Sequence, residues 1–213
     1  RMWRAGIKTT LVRVPRPLDD PHTSAPGLNS DRVLLFGAGL AVGWGVSTHD
    51  LALPGFLARS LSVLTGRGAD VDVVADQDIL LEDTLRRLNA LPLWRYDALV
   101  VVVGVNAALN LAPLKTWRQD MAALLAGLEE SFPGKPVVIA GIQRIRSIPV
   151  YDSVIGGIAD RHATRLNSVT AQLCAETRHA TFAPLPAFDV PPDDRHRSPE
   201  TYAESGRAVA TAL

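Results

Sequence analysis

The chain has 213 residues, a length that suits one domain with a sizeable core. Its 22 basic and 22 acidic side chains cancel, which leaves no electrostatic footprint for nucleic acid and no acidic tail. Hydrophobic residues make up 47% of the chain, yet no run approaches the roughly 20 apolar residues of a membrane span, so no integral membrane segment is expected.

Residues 1–31 read as an N-terminal arm. Pro15, Pro17, Pro21 and Pro26, with Ser and Asp between them, break any lasting period. Arg1, Arg4, Lys8 and Arg13 make its start basic. A solvated strap over the domain is the preferred reading, and contact with anionic lipid or a partner is the other. The domain proper is expected over 32–213.

Val33–Phe36 is a short buried-strand candidate, and it runs into the glycine-rich stretch Phe36–Val46, "FGAGLAVGWGV". Phe56, Leu57, Leu61 and Leu64 fit one helical face, closed by Gly66 and Gly68. Residues 71–75 form a second strand. Leu81, Leu85 and Leu88 mark a second helix, stopped by Pro92. The unbroken run over 97–105, "DALVVVVGV", suits a central strand covered on both faces. Leu114, Trp117, Met121, Leu124 and Leu128 form the next helical stripe, and 136–142 a fourth strand. Ile155, Ile158, His162, Leu166, Val169 and Leu173 mark a long helix, followed by a fifth strand over 180–185. Ser198-Pro199 then opens a last helix, with serine as N-cap and proline at the first helical position.

Strands alternating with helices predict an α/β fold. The expected form is a three-layer α/β/α sandwich around a central parallel sheet of about five strands, a flavodoxin-like arrangement. Ligands of such sheets bind at the carboxyl ends of the strands. That rule selects the loops after Phe36, Ala75, Val103 and Ile142. The first carries Gly37, Ala38 and Gly39, and the third carries Gly104, Val105 and Asn106. Near the C-terminus, Asp193 and His196 stand three residues apart before the last helix. An Asp-x-x-His on a loop can hold an imidazole in one tautomer while it acts as a base.

The order of these blocks resembles the SGNH (GDSL-type) hydrolases. The family's first block reads Gly-Asp-Ser-Leu, then small residues and a Gly-aromatic-Gly, and "GAGLAVGWGV" aligns to it without gaps. The third block, Gly-x-Asn-Asp, is here Gly104-Val105-Asn106-Ala107, and Asp193, His196 and Tyr202 fit the last block. The resemblance covers about 32–213. It implies an ester hydrolase of esterase or lipase type with a small-molecule ester or acyl substrate. A first-loop serine would attack the acyl carbonyl, His196 would take its proton, and Asp193 would orient His196. Asn106 and backbone N–H groups on the first two loops would hold the oxyanion, with Gly37 and Gly104 as further oxyanion or substrate positions, a role in which losing one donor typically costs about 3 kcal/mol.

The departures matter as much. The family's serine falls on Gly39 and its aspartate on Ala38, neither of which can attack anything. The second-block glycine is missing, and Asp76, Gln77 and Asp78 occupy that loop, with Asp83 nearby. Three readings fit the empty elbow. A serine was removed by substitution, where Ser→Ala would favour Ala38. Or a natural member lost its nucleophile and binds without hydrolysing. Or the nucleophile moved to Ser47 or Thr48, beside His49 and Asp50. Under the first two readings the chain is nearly inert as an esterase, and the alternative to an enzyme is a non-catalytic ligand-binding module.

Other residues have plainer readings. His162 reads as packing on a helix, and His49-Asp50 as the start of a helix. Trp44 reads equally as core or as pocket wall, and residues 144–153 as a solvated connecting loop, with a lid or anion-binding role for Arg144, Arg146 and Tyr151 as the alternative. The single cysteine, Cys174, excludes an internal disulfide framework and reads as a small packed residue. The five histidines are scattered and no spacing fits zinc, so no metal is expected. No cofactor is expected either: "GAGLAVG" places its third glycine one residue late for a dinucleotide fingerprint. The compartment stays open, with a leaning to the cytoplasm, and a chain that starts at Arg1 is compatible with a removed upstream signal.

Overall fold

The computed structural model describes residues 14–188 and 197–213. Its centre is a six-stranded sheet: β1 (His22–Ala25), β2 (Asp31–Gly37), β3 (Ala69–Ala75), β4 (Ala98–Val102), β5 (Val137–Ala140) and β6 (Ala180–Ala183). The spatial order is β1-β3-β2-β4-β5-β6. β2 to β6 are parallel, as the alternation of strands and helices predicts. β1 adds an antiparallel edge strand on β3, with His22 opposite Asp72 and Ala25 opposite Ala69. The sequence reading had no strand there, because a four-residue edge strand carries too short an alternation to register.

Every residue of β4 and β5 is buried, as are Val33–Gly37 of β2. Unbroken apolar runs form such strands because both faces are covered by helices. α1 (Leu53–Thr65) and α6 (Pro199–Ala212) cover one face, where Leu53, Leu57, Tyr202 and Val209 pack on Leu35, Val100 and Val138. α2 (Leu81–Leu88), α4 (Leu114–Ser131) and α5 (Val154–Ala175) cover the other, where Met121, Leu128 and Leu166 pack on Leu34, Leu99 and Ile139. These are the three layers of an α/β/α sandwich. Ser198 caps α6 by accepting from the Thr201 N–H, with Pro199 in the first turn, as read from the sequence.

Several elements differ from their sequence outlines: the strand expected at 136–142 is β5, Val137–Ala140, and Leu64, expected on the packed face of α1, is exposed. The apolar run 97–105 is not all strand: Gly104, at φ 113°, turns the chain into a short helix, α3 (Val105–Leu109). The strand expected at 180–185 ends at Ala183. In α5, Ile155 and Ile158 are exposed, and the buried face runs instead through Ala159, Ala163, Leu166, Thr170 and Leu173.

β2 is flanked by β3 on one side and β4 on the other. The chain therefore reverses its winding at β2, and the crevice beyond its carboxyl end is the topological switch point where such sheets hold ligands. The glycine-rich stretch that begins at Phe36 lies there.

Candidate functional site

The turn after β2 is set by a close approach of two strands. A Cβ on Gly37 would overlap the carbonyl oxygen of Val102, and its φ of 142° disfavours any side chain. The next N–H, that of Ala38, donates to the same oxygen at 2.8 Å. The Ala38 methyl is buried in the core, 3% exposed. Gly39 is half-buried, with φ 60°, and a Cβ built on it would sit 3.7 Å from Val105 in ordinary contact. Gly39 is the more exposed of the two, and an added side chain there would meet the third loop.

The second loop is tied to the first, for the Asp76 N–H donates to the Gly37 carbonyl at 3.0 Å. Its Asp76 pairs with Arg87 at 3.1 Å, and Asp83, in the first turn of α2, pairs with Arg86 at 2.7 Å. The Asp78 N–H holds the Asp76 carboxyl below its ordinary pKa, against a desolvation that raises it and with further help from Arg87. In the third loop a side chain on Gly104 would strike Ile142 and Trp117. Asn106 is half-buried, and its amide nitrogen donates to the backbone carbonyls of Gln77 (2.8 Å) and Ile79 (3.4 Å). The amide that would serve an oxyanion is thus engaged by the second loop.

The fourth loop contributes a residue that the sequence reading passed over, Gln143. It is 3% exposed and accepts a bond from Arg197 Nε at 3.2 Å. Arg197 is equally buried, and burial pulls its pKa down against the opposing pull of the Tyr202 hydroxyl. Its backbone lies against Gly45, where a Cβ would overlap it; that close approach docks the last segment onto the first loop. Tyr202 completes the joint by donating its hydroxyl to the Trp44 carbonyl at 2.8 Å, and burial pushes its pKa up to about 12. The signals available in the sequence were Gln143 at a strand's carboxyl end and the arginine directly after His196.

Ala38, Gly39, Val102, Val105, Ile142 and Gln143 line a narrow, mostly apolar pocket. The structure thus gathers the first, third and fourth loops at one edge, with Gly37 and Gly104 as their hinges. The candidates Asp193 and His196 lie outside the described residues. Residues 144–153 are not a solvated loop: Ile145, Ser147, Ile148 and Tyr151 are buried, and Arg146 pairs with Asp152 at 2.7 Å. This stretch packs because its apolar residues fall on the inner side of two short 3-10 turns. His162 sits on α5 and bonds the Ala112 carbonyl at 2.8 Å, a packing role. His49 opens a short turn before α1, and its ring and N–H both bond Asp19 of the arm, at 2.8 and 3.0 Å, rather than Ser47 or Thr48. Among the described residues no group of three His, Cys, Asp or Glu side chains could hold a metal, and no helix is long and apolar enough to cross a membrane.

No curated protein matches the chain by sequence. Solved structures match it by fold. The carbohydrate acetylesterase Est24 from Sinorhizobium meliloti aligns with a TM-score of 0.65 at 16% identity, over 85% of this chain and 97% of that one. An aryl esterase from M. smegmatis, in its inhibitor-bound form, gives 0.67 at 18%, over 86% and 100%. The lipase Lip_vut3 from a goat rumen metagenome gives 0.68 at 14%, over 86% and 97%. The family model of the GDSL-like lipase/acylhydrolases matches residues 35–206, the span from β2 through the crevice loops to α6. A single match over that span, with the sandwich and the blocks in family order, means that this chain belongs to the GDSL-like lipase/acylhydrolase family.

Proposed function

We propose that the chain is an acyl-ester site without its nucleophile: a pocket that binds a small acyl ligand on an ester-hydrolase scaffold and does not turn it over by a serine mechanism. The observation that carries this reading is Gly39. It is the family's serine position and the accessible position of the turn, and it presents no hydroxyl. The Asn106 amide, already shared between two carbonyls, supports binding over turnover. The acetylesterase and aryl esterase neighbours, together with the narrowness of the pocket, favour a short acyl group.

The second reading is a hydrolase that lacks only its serine, favoured by Asp193, His196 and Tyr202 in family spacing. In that mechanism a serine Oγ attacks the carbonyl while His196, oriented by Asp193, accepts its proton. Removing a triad member leaves only about 10³–10⁴-fold catalysis over water.

Hydrolysis of p-nitrophenyl acetate and butyrate tests both. The chain itself should give no turnover above background. Gly39→Ser should give turnover at least about tenfold above the parent, and His196→Ala in that background should abolish it, a loss of the size that removing a base produces. Ala38→Ser should stay silent, because position 38 is 3% exposed where position 39 is half-buried. Silence in both serine variants, with folding confirmed by circular dichroism, would leave binding as the sole role.

A further inference from the structure

The first turn and a half of α5 leaves Val154, Ile155 and Ile158 exposed, Val154 at 86%. Two more exposed aliphatics, Leu111 and Leu114, flank the short link from α3 to α4. The two groups adjoin, because His162, one turn on from Ile158, bonds the carbonyl of Ala112 at 2.8 Å. Leu111 has a φ of 53°, the left-handed conformation that glycine or asparagine normally takes just past a helix end. A leucine there carries backbone strain, and its half-exposed side chain gains little burial in return. Aliphatic side chains gathered in water in this way mark a contact surface.

The charges beside this face say what it contacts. Val154, Ile158, Arg161 and Arg165 follow one another at helical spacing along one stripe of α5. A Cβ built on Gly157 would lie 3.7 Å from the Arg146 stem and 4.0 Å from the Arg161 guanidinium, so both side chains flank the same turn. Lys115 is exposed next to Leu114. Residues 144–165 hold four arginines against two acids, and both acids are paired, Asp152 with Arg146 at 2.7 Å and Asp160 with Arg144 at 3.6 Å. The stretch therefore carries a basic surplus beside exposed apolar surface. We infer that this face docks on the surface of an anionic lipid bilayer, with Val154, Ile158 and Leu111 at the acyl boundary and Arg161, Arg165 and Lys115 at headgroup level. A second copy of the chain fits poorly, since a two-fold contact would bring these same cations together. α3 follows β4, and α5 is reached from the loop after β5, so the docked face lies at the carboxyl edge of the sheet, beside the crevice loops. The inference goes beyond the proposed acyl site and does not depend on it.

The test is co-sedimentation of the full chain with unilamellar vesicles, one set of phosphatidylcholine alone and one of phosphatidylcholine mixed with phosphatidylglycerol. The mixed vesicles should bind the chain at least about tenfold more tightly than the neutral ones, and high salt should weaken that binding. Val154→Ser/Ile158→Ser removes apolar surface and no charge, and Arg161→Gln/Arg165→Gln removes charge alone. Each pair should weaken binding to the mixed vesicles at least about tenfold with Tm unchanged. Val63→Ser, at a similarly exposed aliphatic of α1 on the other face of the sheet, should bind as the parent does. No binding of the parent to the mixed vesicles overturns the inference. So does full binding by either paired variant, which would place the contact elsewhere, on the basic start of the arm for example, and so does an equal loss in Val63→Ser. A parent that is dimeric by sedimentation equilibrium, and that Val154→Ser/Ile158→Ser returns to monomer, makes the face an interface between copies and overturns it as well.

Discussion

At Gly37 the chain passes so close to the Val102 carbonyl that a side chain has no room, and the positive φ adds backbone strain. Gly37→Ala should therefore destabilise the fold by at least about 1–3 kcal/mol from the backbone alone, read as a lower midpoint in urea. Tyr202, on the last helix, is fully buried and bonds the first loop. Tyr202→Phe removes the donor to the Trp44 carbonyl, which should cost about 0.5–1.5 kcal/mol. Cys174 is buried and has its thiol pKa pushed up to about 11 by desolvation. At pH 7.5 it should resist a thiol reagent in the native state and react fully once the chain is unfolded in guanidinium. The packed-cysteine reading is legible from the sequence because Cys174 lies on a long helix near apolar Leu173 and Val169. The carbonyl overlap that demands glycine at 37 is not, because it depends on a strand 65 residues further on.

At the scale of elements, the arm is built in by few but specific contacts. β1 pairs with β3, and Asp19 accepts from both the N–H and the ring of His49. Burial raises the Asp19 pKa, but the His49 bonds outweigh it, so its folded value lies below the ordinary carboxylate value. A depressed folded pKa means stability that is present above the unfolded value, near 3.8, and lost as pH falls through the folded one. Asp19→Asn should lower the neutral plateau by a small amount, since the carboxylate is partly exposed and screened, and its stability should converge with that of the parent as pH falls below about 4. Residues 22–25 read as arm in the sequence because an edge strand is recruited by its neighbour and not by its own pattern. The segment 144–153 was misread for a related reason. Its apolar residues follow no single period, and only the packing of two short turns buries them.

For the whole molecule, the site exists only because the sheet brings distant loops to one edge. Leu35 lies fully buried on the central strand beneath that edge. Leu35→Ala should cost about 2–5 kcal/mol, measured by urea unfolding. The same assembly builds the pocket, whose walls come from the loops after β2, β4 and β5.

The sequence by itself determined the class of fold, the parallel order of its strands and helices, the capped last helix and the family blocks. These rest on local periodicity, capping chemistry and spacing, which a single chain displays in full. Only the tertiary structure decided that position 39 is more exposed than 38, that the Asn106 amide is engaged by the second loop, and that Gln143 and Arg197 meet. Each of those is a contact between residues far apart in the chain. Hydrophobic pattern states which residues must be buried, but the identity of the neighbour follows from how the layers close.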